Sequence, residues 1–122
     1  MPRPLSPHLQ IYRLPLTALL SITHRITGVA LVMGWLVTVA VVVAVAGDGT
    51  AYEAIQDFLT GTLGQAFLLL WLLALFLHLC HGVRHLLWDV LLGFDRERLN
   101  RDSVIELAAA LGLALSTWLW LG

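Results

Sequence analysis

The stretch HLCHGVRHLLWD, residues 78–89, sets three histidines, an arginine and an aspartate at the end of a run of Phe, Leu, Trp and Ala. Ionisable groups are costly beside so apolar a run, which points to chemistry or to packing between helices. At 100° per residue His78 and His85 are nearly eclipsed on a helix, with His81 and Gly82 on the same side. One face then reads His78, a gap at Gly82, and His85 roughly 10 Å further along. A neutral imidazole at His78 can give a nitrogen lone pair to iron. Gly82 leaves room for the edge of a flat porphyrin. Arg84 and His85, at the same depth and nearer water, can pair with its two propionates. The same spacing also suits packing or a proton relay. In that reading His81 is a hydrogen-bonded packing residue, and His85, Arg84 and Asp89 are interfacial anchors.

A haem held by histidine on both faces needs a second ligand from the opposite side. His81 shares a helix with His78. His24 is expected at the edge of the first apolar run, too shallow to meet His78, and His8 is expected outside the membrane. A six-coordinate haem therefore implies a second polypeptide.

A second cluster lies in RPLSPHLQIYRLPLTALLSITHRITG, residues 3–28. Pro4 and Pro7 favour an extended or turned start. Pro15 suits the first turn of a helix beginning near Leu16. Ser21 and Arg25 are then i and i+4 on one face, with His24 beside them. A hydroxyl and a guanidinium facing one pocket can hydrogen-bond the carbonyl of a polar-headed lipophile. Equally, Arg25 can be a charge anchor at the membrane edge and Ser21 a packing residue.

The elements that position these residues follow from composition. The chain has 122 residues, 59 % hydrophobic and only 12 % charged. A soluble domain of that size cannot hide so much apolar surface, so lipid is its solvent. The net charge of −1 gives no bulk attraction to nucleic acid. One cysteine, Cys80, excludes an intrachain disulfide. Of three apolar runs, Ile26–Ala46 and Leu63–Val83 each fit a helix of membrane-spanning length, and Leu107–Leu121 is shorter. The third extends back to Val104 if Glu106 lies at the interface. The alternation of a membrane barrel is absent from the sequence.

The expectation is an all-α integral membrane domain: an N-terminal segment 1–15 and spans at about 20–46, 63–92 and 104–121. A turn at Gly47-Asp48-Gly49, a short surface helix carrying Glu53 and Asp57, and a polar loop 93–103 connect them. Trp118 and Trp120 suit an aromatic belt. Ala44-Val45-Ala46 resembles a signal-cleavage site, but the apolar core before it is too long for a signal peptide. All seven basic residues are Arg, and none falls in 47–62. The positive-inside rule puts the N-terminus and the 93–103 loop in the cytoplasm and the C-terminus outside.

Three stretches carry a resemblance. RPLSPHLQIY (3–12), SITHRITG (21–28) and HLCHGVRHLLWD (78–89) look like segments of the cytochrome b membrane-anchor subunit of succinate dehydrogenase, respiratory complex II. Their order and spacing extend the likeness over nearly the whole chain. The resemblance implies one of two hydrophobic anchors beneath an iron–sulfur subunit and an FAD-bearing flavoprotein subunit, with quinone reduced at the membrane. It implies that His78 ligates haem b, whose other ligand comes from the second anchor. Ser21 and Arg25 would bind quinone, and His24, Arg84 and His85 would lie near the propionates. His81 falls on a variable position and inherits no role. A bacterial inner membrane is expected, with no transit peptide ahead of the motifs. A non-redox structural anchor and a fumarate reductase anchor are the alternatives.

Overall fold

The computed structural model describes residues 13–47, 49–93, 95 and 97–121; RPLSPHLQIY, His8, Asp48 and Arg96 lie outside them. The described residues form four α-helices and no strand: α1 (Leu16–Ala46), α2 (Thr50–Thr60), α3 (Thr62–Asp89) and α4 (Leu99–Leu121). Three of them, α1, α3 and α4, are long and apolar enough to cross a membrane, with mean hydropathies of 2.7, 2.1 and 1.8. This is the fold of a multi-pass membrane protein. Its surface is correspondingly inverted relative to a soluble domain. Large apolar side chains face outward, Trp35 being 70 % and Leu119 78 % exposed. Among the described residues the few buried side chains are mostly small or polar: Ala44, Ala110 and Ala114 beside Thr27, His81, Arg84, Ser103 and Glu106, with Leu20 the one large apolar residue. Lipid drives no apolar collapse between helices, so close approach at small residues and interhelical hydrogen bonds hold them together.

Helix α3 is the middle of the bundle and packs against both α1 and α4. One fixed point is Gly34 on α1, where any added Cβ would collide with the Trp71 indole of α3. Helix α2 is short, carries Glu53 in its first turn and runs straight into α3 through Gly61. At Gly64 a side chain would strike the Phe58 carbonyl, so that turn is closed to larger residues.

Three boundaries differ from the sequence expectation. Helix α1 starts at Leu16, as Pro15 leads one to expect and four residues ahead of the expected span, because extended Pro15 (φ −65°, ψ 151°) offers its carbonyl to the Ala18 and Leu19 amides. Helix α3 stops at Asp89. There the Leu92 amide donates to the Leu87 carbonyl and the Leu91 amide to that of Trp88, the double closure of a Schellman motif. Helix α4 begins inside the expected loop, at Leu99, after the Asp95 carbonyl accepts from the Arg98 and Leu99 amides. Hydropathy alone hides that start, because the first turns of α4 are polar. The turn places Leu91 at φ 62°, the left-handed region that glycine ordinarily fills at this position. Leu91→Gly should relieve a cost of about 1 kcal/mol. A raised thermal unfolding midpoint in mild detergent is the expected result.

Candidate functional site

The polar ends of α1, α3 and α4 meet at one end of the bundle. Helix α1 brings His24 and Thr27, α3 brings His78, His81, Arg84, His85 and Trp88, and α4 brings Ser103 and Glu106. The His24 and His78 rings stack with centroids 3.9 Å apart and planes 10° apart. His81 lies 4.9 Å from His24, and His85 lies 5.3 Å from His81 and 6.1 Å from His24. The expectation that His24 is too shallow to meet His78 is therefore corrected. Depth had been judged from where the apolar run begins, at Ile26. Helix packing instead sets the polar end of α1 alongside the polar end of antiparallel α3. The contact also needs Gly28, where a Cβ would lie 3.2 Å from His78 Cε1.

The bonds of His78 fix its tautomer. Its Nδ1 is 3.1 Å from the His24 carbonyl oxygen, which can only accept. It is also 3.3 Å from Thr27 Oγ1, whose hydroxyl already donates to that same carbonyl at 3.0 Å. Nδ1 must then carry the proton, and the lone pair of the neutral ring sits on Nε2. His78 is half-buried, and no described residue hydrogen-bonds its Nε2.

His81 is built differently. It is 1 % exposed, sealed among three helices, and its Nδ1 donates to Glu106 Oε1 at 2.8 Å. The other Glu106 oxygen accepts from Arg84 Nη1 at 2.9 Å. Arg84 Nη1 also reaches Ser103 Oγ at 2.8 Å, Nη2 donates to the Leu99 carbonyl at 3.0 Å, and the guanidinium carbon lies 4.7 Å from the centroid of Trp88. Ser103 Oγ in turn lies 3.3 Å from Thr17 Oγ1, tying α4 to α1. The residue spacing puts Arg84 at the depth of His85, nearer water, as a propionate partner or an interfacial anchor. The structure turns it into the α3–α4 interface, while His85 stays exposed with its ring 5.2 Å from Trp88.

Ser21 and Arg25 lie on α1, one turn before and one residue after His24. Ser21 is half-buried and Arg25 exposed, and neither side chain pairs with a described residue. Glu106, Ser103 and Thr27 were not singled out as site residues. Glu106 gave the one available signal, a lone carboxylate at the mouth of the third apolar run, read as interfacial.

Three buried polar atoms of this cluster have no partner among the described residues: His24 Nδ1, His81 Nε2 and Arg84 Nε. At Gly82 a Cβ would meet nothing nearer than His24 Cε1, at 3.9 Å, so the notch there stays open. No group of three His, Cys, Asp or Glu residues among the described ones is arranged for a bare metal ion. One open imidazole nitrogen, a notch and the unsatisfied Arg84 Nε donor do fit a larger planar group with anionic arms.

The described residues thus form a three-span helical membrane bundle with a histidine cluster at one end. Residues 1–118 match the family described as succinate dehydrogenase/fumarate reductase transmembrane subunit. Among similar proteins, the succinate dehydrogenase cytochrome b556 subunit of Paracoccus denitrificans is 43 % identical over 116 residues, covering 94 % of this chain and 88 % of that protein. The cytochrome b560 subunit of Reclinomonas americana is 34 % identical over 122 residues, covering 96 % and 85 %. The cytochrome b556 subunit of Rickettsia felis is 32 % identical over 116 residues, covering 95 % and 90 %. The chain belongs to this family of succinate dehydrogenase cytochrome b membrane anchors.

Removing one member of a buried ion pair leaves the other charge uncompensated, at a cost of about 3–5 kcal/mol. Glu106→Ala should destabilise the bundle by that order, read as a lowered unfolding midpoint in detergent. Asp95→Ala, whose 3.4 Å pair with Arg98 is exposed, should barely move it.

Proposed function

We propose that the chain is the cytochrome b anchor of a succinate:quinone oxidoreductase. It holds one haem b jointly with a second anchor subunit and lends Ser21 and Arg25 to the quinone-reduction site. The observation that carries this reading is the state of His78: Nδ1–H committed to the His24 carbonyl, Nε2 left open on a half-buried ring. A second hydrogen bond of this kind is what orients a metal-ligating imidazole and sets its tautomer. His81 has the same tautomer, but its ring is enclosed by the chain's own helices, beyond reach of a porphyrin. Bound at His78, haem b supplies a one-electron carrier.

The remaining roles follow from charge and exposure. His24, whose ring stacks on His78, and the exposed His85, 6.1 Å from His24, suit the propionates. Arg84 joins them through Nε, the donor that no described residue takes. Ser21 offers a hydroxyl to one quinone carbonyl. Arg25 sets positive charge against the oxygen on which negative charge develops during reduction. His78 presents a single open ligand site, so the opposite face of the haem falls to a second anchor. The iron–sulfur subunit, backed by the FAD-bearing flavoprotein, covers the cytoplasmic edge and delivers electrons. The arginine distribution supports a cytoplasmic N-terminus and an external C-terminus; the membrane in this reading is a bacterial inner membrane.

The complex, purified in mild detergent, should show sharp reduced b-type bands that disappear in His78→Ala and persist in Cys80→Ala. Bands insensitive to His78 would place the haem elsewhere. Ser21→Ala and Arg25→Ala should each cut quinone reduction by about 100-fold, as for loss of one donor to a developing oxyanion. Reduction of an artificial dye by the soluble subunits should be unchanged. Equal loss of both activities would remove the quinone role.

A further inference from the structure

Glu106 stands out among the groups that the proposed function does not use. It is a carboxylate 6 % exposed, two turns into α4, a helix otherwise apolar from Leu107 onward. Its oxygens are divided between the histidine cluster and the guanidinium behind it: Oε1 to His81 Nδ1 at 2.8 Å, Oε2 to Arg84 Nη1 at 2.9 Å. A carboxylate buried this deep is retained only where its charge is matched, and here one carboxylate balances one buried guanidinium. Its attachment to His81 carries it to the cluster's edge, because His81 is 4.9 Å from His24 and His24 stacks on His78 at 3.9 Å.

We propose that Glu106 is a positioning residue for the histidine cluster, orienting His81 and Arg84 behind His78 and holding a negative charge that lowers the reduction potential of the haem at His78. The inference rests on the haem reading above. The sign follows from Coulomb's law in a medium of low dielectric. A reduced haem carries one more negative charge than an oxidised one, so a fixed carboxylate nearby opposes reduction. Without it, the Arg84 charge is uncompensated and the reduced form gains further. Arg84 and Glu106 thus act as a matched pair whose net field is small, and removing either member alone exposes the other.

The test is redox titration of the b-type bands in the whole purified complex, comparing wild type, Glu106→Gln and Glu106→Asp. Glu106→Gln keeps the size and one of the two acceptor oxygens but removes the charge. Its midpoint should move positive by about a tenfold change in the reduction equilibrium, equivalent to about 59 mV for one electron. Glu106→Asp keeps the charge and should stay near wild type. A Glu106→Gln complex with full haem content and an unmoved midpoint overturns the proposal and leaves the haem reading intact. A wild-type complex without b-type bands overturns the haem reading itself. If Glu106→Gln does not accumulate, the deciding measurement is the infrared difference spectrum of haem reduction. A carboxylate band that shifts between wild type and Glu106→Asp supports the coupling, and identical spectra overturn it.

Discussion

The cost of placing polar groups against lipid organises this bundle. Where water is excluded, beside lipid or between packed helices, each charged or hydrogen-bonding side chain must find its partner within the protein. The carboxylate of Glu106, bonded to His81 and Arg84 at once, meets that requirement for three ionisable residues. It also sets the geometry between helices. A guanidinium fork and a carboxylate have fixed shapes, so α4 can approach α3 only in the register that lets both pairs form. Ser103 extends the same network to Thr17 on α1. Three helices that would otherwise slide on small-residue contacts are pinned at one end by directional bonds.

The other end is held by shape. Gly34 receives the Trp71 ring, and Ala110 and Ala114 let α4 lie close against the bundle. These contacts lack direction and tolerate slight rotation, in contrast to the polar end. The division matches the division of labour proposed for the molecule. Reactive groups need fixed distances, and they sit at the end where bonds rather than surfaces decide the distances. The apolar end has only to cross the membrane, and the outward-facing Leu, Val and Trp side chains suit that task.

Much of this was legible in the residues themselves. Three uninterrupted apolar runs give three spans because backbone groups in lipid must be satisfied within a helix, which leaves few alternatives. The polar segment 50–60 was also legible as a surface helix, since Glu53 and Asp57 share a face. The two histidine-bearing motifs were visible as anomalies against their apolar surroundings. What hydropathy could not supply was relative depth. His24 and His78 belong to runs that begin and end at different offsets, and only helix packing shows that their rings are level. Arg84 illustrates a second limit. Position along α3 gave its depth and its angle, but whether it faced water or α4 depended on a carboxylate 22 residues away in sequence. The start of α4 was hidden for a related reason: its first turns are polar on the sequence and buried only in part, by Arg84.

The length of α1 has its own consequence. Thirty-one residues extend about 46 Å, against roughly 30 Å of hydrocarbon and 40–45 Å with headgroups included. The 21-residue apolar run fills the oily layer, so the first ten residues rise through the headgroup zone as a rigid post. Ser21 and Arg25 stand on that post, at the level where a dissolved lipophile floats its polar end while its tail stays in oil. A molecule diffusing in the plane of the leaflet therefore meets these side chains sideways, already at the right height and already half hydrated.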